Sequence, residues 1–429
     1  MLGTRPSHPS PTRPGPLPSL HLAVLLGLAS ACGAGGPDRD AGPILVLDDG
    51  GAPLSALPTA LAPAAADSPP PDALRALDPH LGAWRALCSG EGDHGVGQSW
   101  TLHGWIAERY IRAGRVRTIA LEHSRANTRH LDAFVQGGEQ DDLVRYFETT
   151  AGLAIVDGIA RFARRLRRLR EEGCDVRITG FDLTIQVREG VRVMLAFLDR
   201  AAPSERVLWE ERFATMDLRA FVEHSEDLVA YLDAAEQSLR EAVGEGELVR
   251  ARRDAVDLRA GARFLLLFAT DDFEVANATY REPAQAAHAA RLIDELPGDE
   301  SLLLIGHNVH CSADRQVGLD RDGAAVPSMG TRLRERYGAA YQTVGQLYGG
   351  GRTRLANGRV IDYPAVESTL EWAVGESLEA DVALVPTRWR GAPFDQPTDA
   401  VYLQDVANGR SEHVAYLFLR EAEHAGLIL

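Results

Sequence analysis

The stretch WRALCSGEGDHGVGQ, Trp84 to Gln98, decides how the rest of the chain is read. WRALCSGE has the apolar run of a buried first strand. Gly90, Gly92 and Gly95 then spell G-x-G-x-x-G, and Trp105, Ile106, Tyr110 and Ile111 recur at helical spacing up to Gly114, the expected end of the helix. Strand, glycine turn and helix in this order open a parallel α/β sheet. The same order suits a dinucleotide-binding turn, with Glu122 in the place of a ribose-binding acid. But Glu91, Asp93 and His94 fill the variable positions of the turn. Anions there oppose a pyrophosphate, which needs N–H dipoles and positive potential. The reading that employs these residues is a catalytic loop.

The pattern continues outward. VRTIALE (116–122), VRITGFD (176–182), LLLIGHNVH (302–310), YQTVGQL (341–347) and DVALVPT (381–387) read as further strands. Ile155, Ile159, Phe162, Leu166 and Leu169 trace one amphipathic helix ended by Gly173, and its six arginines between Arg161 and Arg170 are expected on a solvated face. Residues 187–295 are mostly helical. The expected fold is therefore an open, mostly parallel α/β sheet flanked by helices, with a helical insert.

Before the folded part, expected from about residue 75, the chain changes character. LHLAVLLGLASA (20–31) is too short for a mature transmembrane helix and ends in small residues before Cys32. It reads as a lipoprotein signal over 1–31, which predicts an exported chain anchored to a membrane through lipid on Cys32. Residues 32–74, rich in Ala, Pro and Gly, read as a tether. The net charge of −16 speaks against nucleic-acid partners. All 45 basic residues are arginine, so a Walker lysine, a Schiff-base lysine and a Ser-Lys dyad are excluded. Cys88 and Cys174 fall in strand-like runs and read as buried free thiols. One disulfide is possible in an exported protein, and the sequence assigns no pairing.

Strand ends carry the chemistry, since ligands of parallel sheets bind beyond the carboxyl ends of the strands. The first offers Glu91, Asp93 and His94, the second Glu122 and His123, the third Asp182, the fourth His307, Asn308 and His310. An imidazole beside a carboxylate is held in one tautomer and made more basic, and can take a proton from an attacking water. A second imidazole or an asparagine can stabilise the oxyanion. No G-x-S-x-G elbow is present, and Ser89 and Ser99 read as loop or helix-start serines. Plainer roles are open for each residue: Glu91 as a helix cap, Asp182 as a turn residue, His310 as a packed histidine, His123 as a core histidine. A dyad of Cys311 with His310 is disfavoured, because adjacent residues usually point apart.

At these residues the chain resembles the erythromycin esterase family. The family's G-E-x-x-H loop matches Gly90-Glu91-Gly92-Asp93-His94, and a glutamate 28 residues after the histidine matches Glu122. Gly180-Phe181-Asp182, Gly306-His307-Asn308-Val309-His310, and Gly330 with Leu333 and Gly338 match later elements. The resemblance covers about residues 75–425. It implies metal-independent hydrolysis of a small-molecule ester or lactone, without a cofactor, with His94 as general base supported by Glu91 and Glu122, and with His307 also important. Two positions depart: Ser99 stands where active members carry arginine, and an expected Arg-Asp pair reads Arg281-Glu282. A related superfamily includes metal-dependent proteases and haem-binding lipoproteins, for which Glu91, His94, Glu122, His307 and His310 would supply donors. A binding lipoprotein without catalysis is the third reading, prompted by Ser99.

Overall fold

A computed structural model describes residues 70, 72–150, 156–215, 217–270, 273–354, 359–363, 382–386, 413 and 415–419. The leader, Cys32, nearly all of the tether and Ile155 lie outside the described residues. The helical turn Asp72–Leu77 buries Leu74 and Leu77, so packing starts slightly before residue 75.

Eleven strands are described: β1 Ala86–Glu91, β2 Val116–Ser124, β3 Arg177–Asp182, β4 Ser301–His307, β5 Gln316–Leu319, β6 Ala325–Pro327, β7 Tyr341–Tyr348, β8 Gly351–Arg354, β9 Val360–Tyr363, β10 Val382–Pro386 and β11 Ala415–Leu419. Seven form one sheet in the spatial order β10-β11-β7-β1-β4-β2-β3. Six of these run parallel, and β10 pairs antiparallel with β11 at the edge. The expected α/β architecture is the observed one. The strands β5–β6 and β8–β9 form separate two-stranded ribbons.

Alternation along the strands divides the core. Leu87, Leu303 and Ile305 face one layer, where the helices Gly97–Arg112 and Val156–Glu171 bring Trp105, Ile106, Phe162 and Leu166. Ala86, Cys88, Leu302 and Leu304 face the other, closed by Ala289 and Ile293 of the helix Glu282–Glu295 and by Met329 and Leu333. Both faces are covered, so the central strands are apolar throughout, as parallel sheets require. The arginine run is not wholly solvated. Arg165 turns inward and pairs with buried Glu108 at 2.8 Å.

The insert has a core of its own. Five helices, Val187–Ala201, Pro203–Phe213, Leu218–Ala234, Glu236–Val243 and Glu245–Thr270, enclose Phe197, Trp209, Leu228, Leu232 and Leu258. The chain returns to the sheet through a π-wound stretch, Asn277–Arg281, followed by the helix Glu282–Glu295 with Pro283 in its first turn. None of the described helices is long and apolar enough to cross a membrane.

Candidate active site

The chain order β1, β2, β3, β4, β7 reverses direction across the sheet at the adjacent strands β1 and β4. Such a switch point opens a crevice at the carboxyl ends, and the predicted residues meet there. Two of the backbone approaches permit only glycine. A side chain on Gly90 would collide with Asn308, and a Cβ on Gly306 would stand 2.8 Å from Glu122 Oε2. The glycine of the first strand end thus serves close packing of β1 against the turn after β4.

His94 donates its Nδ1–H to Glu91 Oε1 at 2.7 Å. Glu91 caps no helix: the helix start at Val96 has no side-chain cap. Burial pushes the Glu91 carboxyl up, but hydrogen bonds from His103 and His94 outweigh it and hold it at about 2. Burial pushes His94 down, but the bond to Glu91 and the charges of Glu122 and Asp93 prevail and raise it to about 9. The His94 side chain is 37% exposed, so solvent screens part of this effect.

His307 is held the opposite way. Its ring centroid lies 5.3 Å from that of His94. Val309 N–H donates to His307 Nδ1 at 3.3 Å, which leaves the ring proton on Nε2. Burial, with the positive charge of His94 added, lowers His307 to about 3. It is therefore a neutral N–H donor at the start of the helical turn Asn308–Cys311.

A second layer stands behind this pair. Glu122 is its hub: Oε2 accepts His307 N–H at 2.6 Å, and Oε1 accepts Arg281 Nη2–H at 2.6 Å and His310 Nε2–H at 3.2 Å. Burial raises Glu122, yet His310 and Arg281 carry it well below the usual carboxylate range. Arg281 also grips Asp182, with Nε 3.1 and 3.0 Å from its two oxygens and Nη2 at 2.6 Å from Oδ2. Asp182 accepts Leu183 N–H at 2.7 Å as well, so it is both a turn residue and a partner of Arg281. His310 lies between Glu122 and Glu282. Burial lowers it, but the two carboxylates win and raise it to about 10. Glu282 accepts Met329 N–H at 2.8 Å with its other oxygen.

All six candidates, Glu91, His94, Glu122, Asp182, His307 and His310, thus converge on one crevice. Arg281 is the guanidinium of the site, whereas Arg125 pairs with Asp254 and Asp257, at 2.9 and 3.0 Å. Ser99 is fully buried, its Oγ 2.7 Å from Tyr348 Oη. Tyr348 also accepts Gly92 N–H at 3.1 Å, and Asp93 accepts Gly95 N–H at 2.7 Å. These loop N–H groups serve the protein itself, as the catalytic-loop reading requires. His123 stays outside the network, 3.3 Å from Tyr146 Oη, and burial lowers it to about 4. Sequence reasoning passed over His103 and read Ser89 as a loop or helix-start serine. Ser89 is a buried strand residue, and its Oγ lies 2.8 Å from Nδ1 of fully buried His103, whose Nε2 is 3.5 Å from Glu91 Oε2. Cys88 is not a free thiol: it forms a disulfide with Cys311, next to His310, and Cys174 is free. Among the described residues no three His, Cys, Asp or Glu side chains are arranged to hold a metal ion.

Three solved structures share the fold. A Bacillus cereus protein gives a TM-score of 0.64 at 15% identity, covering 88% of this chain and 98% of its own. An erythromycin esterase mutant in its open conformation gives 0.67 at 15%, covering 83% and 96%. A succinoglycan biosynthesis protein gives 0.66 at 14%, covering 86% and 95%. No curated protein matches. The erythromycin esterase family model matches residues 112–411, well over half of the chain, and it takes in every strand end described here except the Glu91–His94 loop. The chain belongs to the erythromycin esterase family, whose membership supports a hydrolase.

Proposed function

We propose that the protein hydrolyses a small-molecule carboxylic ester or lactone by direct attack of water, with His94 as the proton acceptor. The supporting observation is the facing pair of imidazoles. His94 is fixed through Nδ1 by Glu91 and presents Nε2; His307 is fixed through Nδ1 by a backbone N–H and presents a neutral Nε2–H. Environments that drive two such groups apart assign their roles. A water between His94 and a bound carbonyl gives its proton to His94 Nε2 as its oxygen bonds to the carbonyl carbon. The displaced electron pair moves onto the carbonyl oxygen, which His307 Nε2–H receives. The carbon–oxygen bond of the leaving alcohol then breaks, and the proton returns from His94 to that oxygen. Acid and alcohol result, heavier together by one water. A macrolide lactone is the first substrate to try, from the family's name.

His94 accepts a proton only when neutral, so turnover should rise with pH toward about 9. The Cys88–Cys311 disulfide favours an oxidising compartment, in keeping with export and a lipid anchor at Cys32. Mass spectrometry of a macrolide and ester panel, incubated with the protein and with His94→Ala, tests the reading. A product heavier by one water, formed by the wild type alone, supports it. Equal turnover by both proteins defeats it.

A further inference from the structure

We infer that His103 is a positioning residue for this site, holding the Glu91 carboxylate toward His94 from inside the fold. The inference rests on the reading of His94 as the group that accepts the proton. Glu91 lies between two imidazoles: Oε1 accepts from His94, and Oε2 faces His103 Nε2 at 3.5 Å. Oε2 is fully buried and has no partner within normal hydrogen-bond geometry. A bare carboxylate oxygen in such a place is costly, and the His103 N–H is the group placed to offset it. At 3.5 Å the contact is longer than a normal N–H···O bond.

The strand explains the aim of the ring. Ser89 and Glu91 are two apart on β1 and share one face, about 7 Å apart along the strand. The imidazole of His103 spans them, with Nδ1 at Ser89 Oγ and Nε2 at Glu91 Oε2. Ser89 Oγ–H donating to Nδ1 leaves the proton on Nε2, directed at the carboxylate. Gln346 Nε2, 3.4 Å from both ring nitrogens, closes the other side. A histidine kept only for packing would need neither the strand hydroxyl at one nitrogen nor the carboxylate at the other. The remaining titratable groups facing Glu91 and His94 are Asp93 of their own loop, Glu122 and His123 from β2, His307 from β4 and Tyr348 from β7. Among the described residues, His103 is the one that approaches Oε2.

The test follows the His94 ring by NMR in the full chain with labelled histidine, and follows hydrolysis of p-nitrophenyl butyrate. In His103→Leu, Glu91 loses its inner donor. The His94 midpoint should fall by about one unit, a tenfold change in its proton affinity. kcat should drop tenfold or more with KM within twofold, and the rising limb of the rate profile should move with the midpoint. His103→Gln, whose amide N–H can stand where Nε2 stood, should recover most of both. A folded His103→Leu whose His94 midpoint and rate profile match the wild type overturns the inference. Should that variant fail to fold, Ser89→Ala decides: the midpoint should fall in the same direction, and an unchanged midpoint overturns the inference. The ring titration needs no substrate. Hydrolysis indifferent to His94→Ala would therefore defeat the proposed function separately from this coupling.

Discussion

Replacing Arg281 by methionine tests whether the insert holds the site together by charge. The Arg281 side chain is 11% exposed, and those of Glu122 and Asp182 are 5% exposed. Without the guanidinium, Glu122 keeps His310 and the His307 N–H, while Asp182 keeps only the Leu183 N–H. Removing one partner of a buried ion pair costs about 3–5 kcal/mol, because the other charge is stranded. Asp182 should account for most of that. Arg281→Met is therefore expected to lose about 4 kcal/mol in urea unfolding, a large part of the ~5–15 kcal/mol available to a domain. Neutralising the stranded carboxylate should restore part of it. Arg281→Met with Asp182→Asn should lie about 1–2 kcal/mol above the single arginine variant, a strong departure from additivity. A single-variant loss below about 1 kcal/mol, or strictly additive losses in the pair, would refute the claim that Arg281 neutralises this cluster.

Stability should peak near pH 6.5. His94 and His310, raised to about 9 and 10, stabilise fully below 6.5 and lose that contribution as pH climbs through those values. His307 and His123, lowered to about 3 and 4, oppose folding as pH falls below 6.5, and Glu91, lowered to about 2, adds a loss from 4.5 downward. Melting temperatures between pH 4 and 10 check this, and a profile that only rises or only falls would contradict it. Cys88→Ala with Cys311→Ala should lower unfolding stability by up to ~5 kcal/mol from the chain entropy of a loop with separation 223, read by urea titration. A loss under ~1 kcal/mol would show that the bond does not constrain the unfolded chain. Treatment with a chelator should leave ester hydrolysis unchanged, since Arg281 and His310 already pair with Glu122, Asp182 and Glu282. Activity lost with the chelator and restored by one metal would overturn that assignment.

Much of this was legible because parallel sheets give strong local signals. LLLIG, VALV and IAL are continuous apolar runs, and the run at the first strand, ALC, leads to Glu91. The rule that ligands gather at carboxyl ends then collected Glu122, Asp182 and His307 without knowledge of strand order. The strand Ala415–Leu419, between β10 and β7, was not read: AYLFL is too short a run to separate from a helical segment. His103 was missed because it sits among Trp100, Leu102, Trp105 and Ile106, where one polar residue looks like an interruption of an apolar face. Its partner, Ser89, becomes visible only when the helix is laid against β1. The disulfide has the same character. Cys88 and Cys311 are 223 residues apart, and only the pairing of β1 with β4 brings them together. Arg165 was hidden by its neighbours, since nothing in an arginine run marks the member that turns inward to Glu108.

The two layers of the site explain each other through Glu122. One of its oxygens fixes the backbone of His307, and the other takes up the charges of Arg281 and His310. Glu122 thereby positions His307, and its charge, which favours the protonated ring, is outweighed by burial and by the charge of His94. This is the condition for a neutral imidazole to remain an N–H donor beside a charged one. Arg281 and Glu282 come from the place where the insert rejoins the sheet, adjacent residues reaching Asp182 and His310 from a π-wound turn. The insert therefore does more than cover the sheet: its last turn supplies the guanidinium that pairs with Asp182 and Glu122 and the carboxylate that pairs with His310.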